Sequence, residues 1–254
     1  MKHVISWVIR KIPRKYLQLF SHYVVKILAL FYIGNKVTCT VCNRRFRKFL
    51  PYGRKPRENA LCPNCLALER HRLLYLYLQR KTNFFTASLK MLHIAPEMCF
   101  LHRFEAMKNL DYITADLESP LAKVKMDIHQ IPFAENTFDV VFCNHVMEHV
   151  DDDLKAMREI YRVLKPGGWA IIQSPQDYKR ETTLEDPEAT TAAQREKLHG
   201  QNDHLRTYGA DYPKRLSKAG FQVTEDDFVK TLPEDLVKKH ALPGEEIIYY
   251  CRKY

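Results

Sequence analysis

A chain of 254 residues, 46% of them hydrophobic, is neither too small nor too polar to bury a full core, and it has room for one large domain and a smaller one. Its formal charge of +10 is unevenly divided: residues 1–90 carry 19 Lys and Arg against Glu58 and Glu69, a net +17, whereas residues 91–254 carry 21 basic and 28 acidic side chains, a net −7. The front part therefore seeks an anion, which RNA, DNA or an anionic membrane surface would each supply, and the acidic back part argues against a long nucleic-acid track across it.

Residues 16–33, YLQLFSHYVVKILALFYI, are apolar enough to raise a membrane span, but Gln18, Ser21, His22 and Lys26 interrupt them and no small-residue cleavage site follows. With the basic residues at 10–15 before it, the segment fits an amphipathic helix, packed on the protein's own body or lying on a membrane surface. The expected organisation is a basic amphipathic segment over 1–35, a cysteine module with a linking helix over 36–82, and an α/β domain over 83–254. The expected location is the cytoplasm, with peripheral attachment at the inner membrane surface as an option.

Cys39-x2-Cys42 and Cys62-x2-Cys65 have the two-knuckle spacing of a zinc ribbon. Four thiolates close a tetrahedron and leave no open position, so a Zn2+ held there is structural and contributes folding energy to a module too small to fold on its own core. Two disulfides are the alternative, though nothing else in the chain indicates an oxidising compartment. Cys99, Cys143 and Cys251 lie outside the pattern and read as buried small apolar residues. Between the knuckles, Arg44, Arg45, Arg47, Lys48, Arg54, Lys55 and Arg57 interleave with Phe46, Phe49 and Tyr52. Such a stretch either tracks phosphates and stacks on bases or is a solvated loop whose aromatics cover the metal site. Leu66, Leu73, Leu74, Tyr77 and Leu78 then recur at helical spacing.

From residue 89 the pattern alternates. Strands are expected at LKMLHIA, DYITAD, VKMDI, FDVVFCNHV and WAIIQSP, with helices over 97–109 and 151–164. FQVTEDDF and EIIYYCRK are close enough in sequence to form an antiparallel edge pair. The fold class is thus α/β, a doubly wound, mostly parallel sheet of seven strands with its ligand at the carboxyl ends of the strands.

Residues 127–175, with their Asp127-Ile128 pair, IPF, FDVV, HVMEH and a helix ending RVLKPGG, resemble the core of the class I S-adenosylmethionine-dependent methyltransferases; the resemblance extends over about 89–175. The chain also resembles a bacterial group that joins this domain to a cysteine knuckle module, an HIAPE turn and a DHLRTYG segment. The resemblance implies a Rossmann-like fold and S-adenosyl-L-methionine as cofactor. It implies Asp116, followed by Leu117, on the ribose hydroxyls, and Asp127 and Ile128 on adenine. It places Asn144 and His145 where the methyl group is transferred. At the cofactor turn, where the family carries an acid and glycines, this chain has His93, Ala95 and Glu97. The expectation is a rebuilt site: Pro96 at a first helical position, Ala95 at negative φ, and Glu97 meeting the cofactor's ammonium group.

Methyl transfer needs a base only where the acceptor must lose a proton, and His145, His149, His199, Asp203, His204 and Tyr208 are the candidates, with His145, His149 and His204 foremost. Arg206 and Asp203 could equally form an ion pair that closes a lid. Three functions fit: a methyltransferase of a small, sugar-linked or lipid-linked acceptor; an RNA methyltransferase, similar to ribosomal guanine methyltransferases that place a zinc ribbon before such a domain; and a non-catalytic zinc adaptor. No DNA partner is expected.

Overall fold

A computed structural model of the protein describes residues 25–53 and 56–254. Half of the amphipathic segment expected over 16–33, residues 16–24, therefore falls outside the described residues; among those described, no helix is long and apolar enough to cross a membrane. The chain divides into two compact units, one of residues up to Phe85 with Glu97–Arg103 and Asp227–Glu246, the other of Thr86–Pro96, Phe104–Asp226 and Ile247–Tyr254.

The first unit holds two antiparallel hairpins, β1 (Ile33–Thr38) with β2 (Arg45–Phe46) and β3 (Leu50–Tyr52) with β4 (Arg57–Leu61). Helix α1 (Glu69–Lys81) follows, and every residue from His71 to Leu78 is buried. A helix covered nearly all round is a core helix, so the stretch expected to link two domains is the centre of this unit. The guanidinium of Arg72 is wholly buried within it. It donates five hydrogen bonds to backbone carbonyls: Asn59, Ala60, Ala67, and His240 and Ala241 at the end of a helix over Glu234–His240. Each buried donor thereby has an acceptor, the condition under which a buried cation is tolerated.

The second unit is built on a sheet of seven strands, with a separate antiparallel pair of β10 (Leu184–Glu185) and β11 (Arg206–Thr207). The order in the sheet is β12 (Gln222–Asp226), β13 (Ile248–Arg252), β9 (Leu164–Gln173), β8 (Phe138–Asn144), β5 (Leu89–Ile94), β6 (Leu110–Asp116) and β7 (Val124–Lys125). All neighbours are parallel except at β13, which runs antiparallel to both β12 and β9, as the two closely spaced last strands suggested. β5 and β8 are buried almost throughout because a parallel sheet is covered on both faces. Helix α3 (Asp153–Val163) shows why the sequence forms it: Ala156, Met157, Ile160 and Val163 fall on one buried stripe, and the Asp152 carboxylate caps its start by accepting from the Lys155 N–H at 2.9 Å.

Several boundaries differ from the sequence reading. Helix α2 covers Met98–Glu105, not 97–109, and Pro96 precedes it instead of occupying its first turn. The third strand pairs only at Val124 and Lys125, because β6 ends at Asp116 and offers no further edge. The fifth strand begins at Leu164, directly after α3, and takes in Gly167 and Gly168 beside an irregularity in the β8–β9 register. A Cβ on Gly168 would lie 2.9 Å from the Lys165 carbonyl and 3.0 Å from that of Asp139, so glycine is required there by close backbone approach. Cys99, Cys143 and Cys251 are buried, as expected.

Candidate active site and cysteine cluster

The two CxxC turns have the same backbone design. In the first, the Asn43 N–H donates to the Cys39 carbonyl at 2.9 Å and the Cys39 N–H to that of Arg44 at 3.0 Å; in the second, Leu66 donates to Cys62 at 3.0 Å and Cys62 to Ala67 at 2.9 Å. Asn43 and Leu66, each directly after the second cysteine, have φ of 56° and 63°, the left-handed conformation that turns the chain away. The four sulfurs converge, with Cys39 Sγ 3.6 Å from Cys65 Sγ and Cys42 Sγ 3.7 Å from Cys62 Sγ. A zinc tetrahedron with Zn–S of about 2.3 Å has edges of about 3.8 Å, so the donor set fits such an ion, whereas a disulfide needs sulfurs about 2.05 Å apart and all four thiols are free. Protons alone cannot satisfy the cluster evenly: hydrogen bonding from Cys39 holds the Cys42 thiol low, and the same neighbour pushes Cys62 and Cys65 up.

Of the aromatics between the knuckles, Phe46 and Phe49 are buried, and Arg72 lies over the Phe49 ring at 4.2 Å. They cover the module's interior and present no face to a base. Arg44, Arg45, Arg47 and Lys48 are exposed, while Arg57 forms a bidentate pair with Glu69.

In the second unit the strand order reverses between β5 and β8, the place where open α/β sheets bind their ligands. Both strands leave the sheet through a non-glycine residue at positive φ, Ala95 at 52° and His145 at 55°. The negative φ expected of Ala95 is therefore corrected: its N–H is held to the Ala115 carbonyl at 2.9 Å, and the turn has to reverse direction within one residue. His93 is wholly buried in the sheet, its Nδ1 2.7 Å from the Tyr112 hydroxyl, among the rings of Phe104 and Phe142. Within the first unit, Glu97 Oε1 lies 3.6 Å from His71 Nε2, and the Glu97 carbonyl accepts from Phe100 and Leu101 at the start of α2. His71 Nδ1 accepts from the Leu68 N–H at 3.1 Å, so the neutral ring carries its proton on the nitrogen facing Glu97.

Asp116 ends β6. Its Oδ1 accepts from the N–H groups of Glu118 and Ser119 at 2.8 and 2.6 Å, which fixes the carboxylate in a turn, and Leu117 beside it is exposed. Asp127 is exposed, and its Oδ1 faces both the N–H (2.9 Å) and Nδ1 (2.8 Å) of His129; those contacts hold its carboxyl below the usual range. Ile128 and Asn144 are buried.

The histidines expected to serve the chemistry do come together, around a residue the sequence reading passed over. Glu148 is buried, with its Oε1 3.3 Å from His145 Nδ1 and 4.0 Å from His149 Nε2, and its Oε2 accepting from Ser174 Oγ at 3.1 Å. Burial pushes its carboxyl up, but the hydrogen bond and charge of His145, with the charge of His149, outweigh that and hold it below its ordinary value. The His204 ring lies edge-on to that of His149 with centroids 4.8 Å apart. His199 stands apart from these, its Nδ1 2.9 Å from Thr207 Oγ1.

Arg206 brings the segments together, and it does not pair with Asp203. It donates to the Met147, Val150 and Asp151 carbonyls and to Glu185 Oε1, with Asp153 3.9 Å away. Tyr208 is wholly buried and donates to Asp153 Oδ2 at 2.7 Å, and burial raises its hydroxyl well above the ordinary value. Arg215 completes the cluster with a bidentate pair to Asp153. The signal in the sequence was the spacing of Glu148 and Asp153 along HVMEHVDDD against HLRTYG; only the pairing of the two segments gives it meaning. Beside this cluster lies a cavity of about 580 Å³ whose lining includes Asp151, Asp152, Glu185, Asp186, Arg195 and His199.

Two outcomes are expected. Ala95→Gly removes a Cβ from a left-handed residue and should stabilise the protein by about 0.5–1 kcal/mol, after the entropy of a freer unfolded chain is subtracted, while Ala95→Val should destabilise it; chemical denaturation midpoints measure both. Burial lowers the ring pKa of His199, His204 and His240 below the ordinary 6.5. The unfolded chain therefore takes up these protons first, and stability present above pH 6.5 should fall as the pH is lowered through it. His204→Gln should make that fall shallower in melting curves taken between pH 7.5 and 5.

Residues 77–172 match the family described as a methyltransferase domain. A ubiquinone/menaquinone biosynthesis C-methyltransferase, UbiE, of Desulfotalea psychrophila is 48% identical over 45 residues, 18% of this chain and 18% of that protein. UbiE of Klebsiella pneumoniae is 38% identical over 64 residues, 25% of this chain and 21% of that one. The chain thus spans about a fifth of the length of these curated relatives. A SAM-dependent methyltransferase of Archaeoglobus fulgidus is similar at a TM-score of 0.47 and 17% identity, over 71% of this chain and 93% of that one, a likeness too slight to build on. Sequence match and strand order agree that residues 77–172 carry a methyltransferase domain.

Proposed function

We propose that the protein transfers the methyl group of S-adenosylmethionine to a small, sugar-linked or lipid-linked acceptor, and that its four-cysteine module holds one structural Zn2+. What supports the cofactor assignment is that Asp116 ends β6, Asn144 ends β8 and Asp127 and Ile128 follow β7, at the carboxyl ends of strands in a sheet whose order reverses between β5 and β8. The cofactor supplies a methyl group already activated by positive sulfur, so alignment contributes much of the rate. Asp116, with Oδ1 fixed by its turn, would take the ribose hydroxyls through Oδ2. Asp127 would accept from the adenine amine and the Ile128 N–H donate to the ring. Asn144 and His145 would line the place of transfer.

The acceptor class rests on the cavity beside Arg206. Its volume suits a small molecule or a headgroup. Its carboxylates, Asp151, Asp152, Glu185 and Asp186, oppose a polyanionic backbone. Phe46 and Phe49, being buried, offer no stacking platform for RNA. The exposed Arg44, Arg45, Arg47 and Lys48 suit an anionic surface that would present a lipid-linked acceptor.

Calorimetry should show S-adenosylmethionine binding, weakened by about 1.5–3 kcal/mol in Asp116→Ala, the cost of losing a charge-assisted hydrogen bond. An unmodified protein that binds none would be a zinc adaptor instead, and methyl label from the cofactor appearing in RNA would overturn the acceptor class. Metal analysis should find zinc lost when Cys62 and Cys65 are both changed to Ser; its retention would overturn the four-thiolate assignment.

A further inference from the structure

Glu148, His149 and His204 are within reach of a single ion: one ligand atom from each lies within 4.8 Å of the others. Their arrangement has features that packing alone does not call for. Glu148 is a carboxylate 1% exposed, and its ion-pair partners among the described residues are histidines, not Lys or Arg. A buried carboxylate needs a compensating cation or a full set of donors, and here the carboxylate meets the Ser174 hydroxyl at 3.1 Å and the His145 ring at 3.3 Å. The His149 ring is already oriented: Nδ1 lies 2.9 Å from the Asp203 carbonyl, which can only accept, so Nδ1 carries a proton and Nε2, on the Glu148 side, is the nitrogen that would meet a cation. An imidazole whose far N–H is bound to a backbone carbonyl is the usual state of a metal ligand, its tautomer and direction set in advance. His204 packs against that ring from a different segment and is itself buried.

We propose that Glu148, His149 and His204 form a second metal site, distinct from the cysteine cluster, which takes a divalent cation of the manganese-to-zinc series. Two imidazoles and one carboxylate suit those ions better than magnesium or calcium. With metal–nitrogen bonds of about 2.1 Å, the triad must close by up to an ångström on binding, and of its three residues the exposed His149 has the most room to move. Three protein ligands leave positions open, as in catalytic sites and unlike the closed four-thiolate cluster. Glu148 and His149 lie in the loop that follows β8, and on the methyltransferase reading proposed above the open positions would hold the acceptor through an oxygen atom.

The full-length chain with its cysteine site filled by zinc is dialysed against Mn2+ and its metals counted. Mn2+ competes poorly for thiolates, so it reports on the nitrogen and oxygen site alone. One zinc and one manganese per chain are expected in the unaltered protein. His149→Gln and His204→Gln should each weaken manganese binding at least tenfold, keep the zinc and melt within a few degrees of the parent. S-adenosylmethionine affinity is measured on the same samples. A protein that holds the cysteine-bound zinc and no further cation would overturn the proposal, as would manganese retained equally in both variants. Manganese bound and lost on schedule in a protein that takes no S-adenosylmethionine would sustain the site and sink the methyltransferase reading.

Discussion

The buried guanidinium of Arg206 is the constraint on which the candidate active site depends. It is 4% exposed and donates to three carbonyls of the loop after β8, those of Met147, Val150 and Asp151, and to Glu185. No regular secondary structure would hold that loop, because its carbonyls have left the sheet; a planar fork with five donors can bind several of them at once. Asp153 balances the charge and is held in turn by Arg215 and Tyr208. Burial works to raise the Asp153 carboxyl, and those partners outweigh it and keep it below the ordinary range, so the cluster stays ionised at neutral pH. The loop so fixed is the one that carries Glu148 and His149, and the segment that fixes it is the one that carries His204.

The same economy governs the turns at the carboxyl ends of β5 and β8. Each must turn sharply out of a buried strand, and each does so through a left-handed residue that is not glycine. At Ala95 the small side chain keeps the cost low. At His145 a larger side chain is held in a less favoured conformation, and its Nδ1 points at a buried carboxylate 3.3 Å away. Strain of this kind persists where the surroundings over-determine it, which is common where a fold presents chemistry.

The cysteine module solves a different problem. Its strands are two to six residues long, too short to form an independent core. Two kinds of interaction compensate. The knuckles converge four sulfurs to the edge lengths of a tetrahedron, and Arg72 gathers five carbonyls from three separate stretches of chain. Of the three aromatics that looked like a nucleic-acid platform in the sequence, Phe46 and Phe49 are consumed by this packing, Phe49 lying under the Arg72 guanidinium itself, while Tyr52 is exposed.

The sequence by itself determined the features whose signal is local. The paired CxxC spacing, the strand–helix alternation, the placement of Asp116 and Asn144 at strand ends and the antiparallel last pair follow from period, turn chemistry and residue type over a dozen positions or fewer. What only the tertiary structure decided is everything that needs two distant stretches to meet. Nothing near Ala95 announces a positive φ, because it is imposed by the bond to Ala115 on the neighbouring strand. Glu148 reads as an ordinary helix-flanking acid until Ser174 and the histidines close over it. His149 and His204 each resemble a structural histidine in sequence; they become a pair because Arg206, two residues beyond His204, anchors its segment on the loop that holds His149. A side chain's chemistry is set by its neighbours within a few ångströms, and a sequence lists neighbours along the chain only.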